Sequence, residues 1–255
     1  MVAGADGAGE ETVSDEGGAR MREQPVIVVD SIENAGSPDR RRDGMHALAS
    51  GEHEAHLVTE HEGLQALLSR RPFKLNLWAQ TVPREGYVNV GSTTADREIV
   101  DACDVICDIR DLGWIPDGTA DEILAVNAIQ RFYRTDTIPV FVEWRRVLKP
   151  GGKLIVEAPD VRELAKAIGA ASDMDIYDAA PPLIWGIDGS QLEGDELIYV
   201  NRNGMTASRC RLLLELAKFV DIKSVEPQSP PCFRPFALEA HRPMVEVAGE
   251  GQFKP

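Results

Sequence analysis

Two hydrophobic periods alternate along the chain. Short runs of aliphatic and β-branched residues recur at 25–30, 74–77, 87–90, 105–108, 123–127 and 153–158, each too short for a helix and bounded by polar or Gly/Pro-containing segments, which predicts strands. Between and after them apolar positions repeat at helical spacing. Leu64, Leu67 and Leu68 predict a helix over 60–70 that Arg70-Arg71-Pro72 ends, and Val140, Phe141, Trp144, Val147 and Leu148 predict an amphipathic helix over 139–148. Further helices are predicted over 161–168 and 208–218, followed by strands at 222–226 and 236–241 that would form an antiparallel edge pair. Strands interleaved with helices predict an α/β fold with a mostly parallel, doubly wound sheet.

The same pattern divides the chain. Residues 1–24 hold almost no large apolar side chains among Gly, Ala, Glu and Asp, so they read as a disordered acidic tail. Residues 25–72 form an extension packed on the core that adds a strand or a helix, 73–243 form the main domain, and 244–255 form a second tail. A polar, glycine-containing insertion spans 173–194. The helix over 139–148 runs through Lys149-Pro150-Gly151-Gly152-Lys153 into a buried strand; this turn lacks the spacing of a phosphate loop and reads as a helix stop. No internal repeat is visible.

Composition narrows the partners. A formal charge of −15 repels phosphate backbones and anionic lipids, so neither nucleic acid nor membrane is an expected partner. No stretch approaches the ~18 apolar residues of a membrane span, the N-terminus does not read as a secretory signal, and the cytoplasm is the expected location. The four cysteines form no C-x-x-C pair. His46, His53, His56 and His61 cluster in one acidic segment, but His53-Glu54-Ala55-His56 has the wrong spacing for a zinc helix, and the expectation is a solvated surface with no metal.

With these residues in view, the segment from Lys74 to about Pro243 resembles the class I S-adenosylmethionine-dependent methyltransferases, especially the type 11 branch that acts on sugars and other small molecules. Three stretches carry the resemblance: Gly86-Tyr87-Val88-Asn89-Val90; Cys107 to Leu112 with Pro116 to Ile123; and Trp144 to Pro159. It implies a seven-stranded doubly wound sheet with S-adenosylmethionine in the crevice at the strand ends. Carried over by position, it places Asn76, Trp78, Gln80, Asp108, Ile109 and Asn127 around the cofactor, with Asp108 and Ile109 at the adenine. The motif is degenerate: Trp78-Ala79-Gln80 replaces the glycine-rich turn, Gly91 stands where a carboxylate holds the ribose, and Asn127 and Gln130 replace a histidine and an acid. Asp96 is a distant substitute for the missing carboxylate.

No histidine lies between Glu62 and Ala240, so acid–base chemistry in the domain falls to other groups. Asp160, Asp188 and Glu157 are the candidate bases for a hydroxyl acceptor, although Asp160 also reads as a helix N-cap and Glu157 as a strand residue; no catalytic residue is assigned. Trp185, Tyr199 and Met205 either line an acceptor pocket or pack locally. Two functions follow from the resemblance and its departures. One is a methyltransferase acting on a sugar or other small-molecule acceptor; the other is an inactive relative that serves as a binding or scaffolding subunit for a protein partner.

Overall fold

A computed structural model describes residues 26–29, 61–80, 82–92, 97–172, 201–231 and 234–245. The N-terminal tail, residues 246–255 of the second tail, the segment holding His46, His53 and His56, Asp96, the insertion with Asp188 and Trp185, and Tyr199 lie outside the described residues. The strands are β1 (Ile27–Val28), β2 (Lys74–Leu77), β3 (Val88–Gly91), β4 (Val105–Ile106), β5 (Ala120–Val126), β6 (Leu148–Pro159), β7 (Val220–Val225) and β8 (Pro235–His241). The helices are α1 (His61–Leu68), α2 (Arg97–Ala102), α3 (Thr137–Val147), α4 (Val161–Ala170) and α5 (Ala207–Leu216). All eight strands form one sheet in the order β1-β4-β3-β2-β5-β6-β8-β7. Pairing is parallel from β1 to β6, whereas β8 runs antiparallel to both β6 and β7.

The sheet is thus the seven strands expected of the main domain, with β1 of the extension added beside β4. Two details depart from the sequence reading. The predicted antiparallel pair is present, but only β7 is an edge; β8 lies inside, against β6 over its whole length. The Pro-Gly-Gly segment is part of β6 rather than a separate turn, because Gly151 donates its N–H to Arg242 at 3.0 Å and Gly152 accepts from Arg242 at 2.9 Å. Gly151 takes a φ of 75° there, a conformation open to glycine at little steric cost. Helix α2 had no distinct signal in the apolar pattern, since Ile99 is its one buried side chain among those described and Cys103 follows the helix end.

Side-chain alternation across the registered strands separates two faces. On one, Leu75, Leu77, Ile123, Ala125, Leu154 and Val156 are buried in the main core, with Phe141 and Trp144 of α3 and Leu213 and Leu214 of α5. On the other, Ile106 meets Ile99 and Cys103 in a smaller core. Farther along that second face the row becomes polar: Lys74, Glu122, Lys153 and His241 are successive register partners. Glu122 receives Lys74 at 3.4 Å and Lys153 at 3.3 Å, and accepts the Tyr87 hydroxyl at 2.6 Å.

Side chains satisfy one end each of α3, α4 and α5. The C-terminal carbonyls of α3 face the Arg242 guanidinium, which donates to Arg146 O at 3.0 Å and Leu148 O at 2.6 Å. Asp160 caps α4 by accepting from Arg162 N–H at 2.9 Å, and Thr206 caps α5 by accepting from Arg209 N–H at 3.2 Å. Among the described residues, the parallel connection from β2 to β3 contains no helix. It is held where Asn76 Nδ2 donates to Val82 O at 3.2 Å and Arg84 N–H donates to Asn89 Oδ1 at 2.7 Å.

Candidate functional site

An open parallel sheet binds ligands outside the C-terminal ends of its strands where the strand order reverses. Here the chain moves outward from β2 through β3 to β4, then returns past β2 to β5, so the crevice lies above β2 and β5. The turn after β2 brings Trp78, Ala79 and Gln80 to this place. Trp78 and Gln80 both adopt positive φ, 65° and 47°, which costs a side-chain-bearing residue roughly 1–2 kcal/mol. The backbone therefore keeps a glycine-like path while carrying large side chains. The Trp78 side chain belongs to the main core, with 8% of the residue exposed, so ring atoms occupy volume that a glycine would leave open.

Neighbouring groups close the turn further. Gln80 Oε1 accepts from the backbone N–H of Ser92 at 3.2 Å and from its hydroxyl at 3.1 Å, which ties the ends of β2 and β3 together. Gly91 sits just before Ser92. A Cβ added there would lie 2.8 Å from Cys103 Sγ and 2.8 Å from Ile106 Cδ1, so a side chain at this point would require its neighbours to shift. Asn76 donates to Asn89 Oδ1 at 3.0 Å as well as to Val82, and its amide is engaged inside the sheet.

After β4, Asp108 is held by Arg110. The guanidinium donates through Nε and Nη2 to Asp108 Oδ2 at 3.0 and 2.8 Å, and lies 3.5 Å from Asp136. Burial works against the charged Arg110, but Asp108 and Asp136 outweigh it and hold its proton more tightly than in an ordinary arginine. The carbonyl of Ile109 accepts the indole N–H of Trp144 at 2.8 Å, so a fully buried helix residue fixes the height of this loop. After β5, Asn127 has a φ of 55°, donates to Ser229 Oγ at 3.3 Å and accepts from Gln130 Nε2 at 3.2 Å.

Two of the candidate bases also have structural partners. Glu157 is fully buried and accepts the backbone N–H groups of Gln228 at 2.6 Å and Ser229 at 2.8 Å, a feature the alternation of β6 could not reveal. Asp160 caps α4 and accepts from Ala207 N–H at 3.3 Å. Met205 is buried and bridges to Asp160 through its backbone. The sheet thus brings Trp78, Gln80, Asp108, Ile109 and Asn127 to adjoining strand ends, with Asn76 one turn below inside β2. Gln80's link to Ser92, Arg110 and Trp144 were not foreseen; a guanidinium two residues after Asp108 was the available sign for the second.

Residues 84–156 match the family model of the methyltransferase domain. Over this segment, less than half of the chain, the sequence is similar to a methyltransferase domain. No curated protein matches in sequence. Among solved structures, a SAM-dependent methyltransferase described as a possible histamine N-methyltransferase from Thermotoga maritima is 18% identical, with 71% of this chain and 87% of that one covered and a TM-score of 0.45. The PH0226 protein from Pyrococcus horikoshii OT3 is 23% identical over 71% of this chain and 88% of that one, with a TM-score of 0.46. A possible exported protein from Bordetella parapertussis is 13% identical over 71% and 66%, at 0.45. Superpositions this loose do not bear on activity.

The superfamily implies S-adenosylmethionine. At these strand ends Trp78 is buried in the main core, a Cβ at Gly91 would lie 2.8 Å from Cys103 Sγ, and Asp108 is paired with Arg110. No helix among the described residues is long and apolar enough to cross a membrane, and none of them form a cluster able to hold a metal ion.

Proposed function

We propose that this chain is a methyltransferase-fold protein without methyl-transfer activity, serving as a binding or scaffolding subunit. The observation that supports it is the buried indole of Trp78 in the left-handed turn after β2. That turn must bring bare backbone against the cofactor's methionine part, and only a residue without a side chain leaves the space. The crowded Cβ position at Gly91 supports the same reading, because this point of β3 carries no ribose carboxylate and its neighbours would have to shift to admit one. Asp108, with Arg110 across its oxygens, is organised as an ion pair rather than as an open acceptor for an adenine amino group.

The test is calorimetric titration of the purified chain with S-adenosylmethionine and S-adenosylhomocysteine, beside Trp78→Gly and Asp108→Ala. The expected result is no binding by the wild type. Micromolar binding that Asp108→Ala weakens would overturn the proposal and return the chain to the enzymes acting on a sugar or other small-molecule acceptor.

A further inference from the structure

Strand β1 leaves one edge of the sheet open. It pairs with β4 alone and stands first in the strand order. Ile27 N–H donates to Asp104 O at 3.1 Å and Val29 N–H to Ile106 O at 3.0 Å. Because backbone groups alternate sides along a strand, the N–H and C=O of Val28 point outward, and among the described residues neither has a hydrogen-bond partner. Residues 26–29 read Val-Ile-Val-Val, without the charge, proline or bulge that guards such an edge. Both cores also reach it. Ile27 and Val29 lie against the main core, Val26 and Val28 against the smaller one, and all but Ile27 are only half-buried.

The opposite edge is built differently: β7 is bulged between Val220 and Lys223, Asp221 has a φ of 53°, and Lys223 is paired with Glu239. A strand that completes β1 must offer free main-chain groups together with apolar side chains on both faces, and of the sheet's two edges only β1 does so. We propose that two copies of this chain associate through β1, the strands pairing antiparallel about a two-fold axis that passes through Val28 perpendicular to the sheet. Each Val28 then donates its N–H to the C=O of the other, and Ile27 of each copy stands opposite Val29 of the second. The axis keeps the two main cores on one side and the two smaller cores on the other, so each copy covers the apolar rim of its counterpart. Such an isologous contact closes after two copies, whereas joining β1 to β7 would propagate without end. The contact does not depend on whether the crevice holds a cofactor.

Sedimentation velocity of the full chain over a concentration series tests it, beside amide hydrogen exchange. The expected result is a reversible dimer that tightens with added salt, because the contact is uncharged and each copy carries a formal charge of −15. Exchange at the Val28 amide should slow as the concentration rises, while Ile27 and Val29, already bonded to β4, change less. Val28→Pro removes the outward N–H and leaves both bonds to β4 in place. It should weaken association about thirtyfold, with the circular dichroism of the wild type. A wild type that stays monomeric, a dimer that Val28→Pro leaves intact, Val28 exchange indifferent to concentration, or a dimer that salt weakens would each overturn the proposal.

Discussion

Trp78 is subject to two opposing contributions that together set the outcome of replacing it. Its φ of 65° penalises any side chain, so glycine would relieve about 1 kcal/mol. Its burial works the other way, since deleting a buried indole costs about 3–5 kcal/mol through lost transfer energy and an unfilled cavity. Packing outweighs conformation, and Trp78→Gly is expected to destabilise the fold by about 2–4 kcal/mol in urea denaturation. A stability equal to or above wild type would mean that the ring contributes little to the core. Gly91 gives the complementary case. Restoring a carboxylate with Gly91→Asp forces its Cβ to within 2.8 Å of Cys103 Sγ and 2.9 Å of Ile99 Cγ2, and overpacking of this kind costs about 1–3 kcal/mol. Its denaturation midpoint should fall, and it should gain no affinity for S-adenosylhomocysteine.

Among the elements, β5 and β6 each carry a carboxylate with a distinct task. Glu122, near the start of β5, stabilises the neutral hydroxyl of Tyr87, whose pKa rises from 10.0 to about 12, first through burial and then through the hydrogen bond and charge of Glu122. A raised folded value means that the contribution is complete below pH 10 and is lost as the pH climbs through 12. Stability measured by denaturant should fall over that interval in the wild type and fall less in Tyr87→Phe; equal slopes would refute the coupling. Glu157, near the end of β6, holds the segment between β7 and β8 through two backbone amides. Glu157→Ala leaves those amides without their charged acceptor, a loss of about 3 kcal/mol, and hydrogen exchange at Gln228 and Ser229 should accelerate. Exchange unchanged at both amides would show that the segment is held by other contacts.

At the scale of the whole molecule, the two cores share one sheet and should open together. Cys103 lies in the smaller core and Cys107 and Cys210 in the larger, and burial pushes the Cys107 thiol up to about 12. Labelling of all three is therefore expected at a single rate, that of global unfolding; faster labelling of Cys103 would show that the α2 side opens alone. The parallel order from β2 to β6 was legible in the sequence because those strands are short apolar runs separated by turn residues, and α3 was legible from Val140, Phe141, Trp144 and Val147. Helix α2 was not, since six residues with Ile99 as the one buried side chain among those described carry no period. The degenerate turn at Trp78 was visible as an absence of glycine, but the bond of Gln80 to Ser92 joins the ends of two separate strands, which spacing along the chain does not encode, and the grip of Arg110 on Asp108 depends on how the loop after β4 folds. Between β2 and β3 the approach to the crevice and the connection that fixes the β2–β3 register are the same piece of chain, with no helix among its described residues 78–80 and 82–87. A graft that opened the turn would also have to rebuild that connection, so pocket shape and strand order can change only together, whereas a helical connection would let one vary while the other stayed in place.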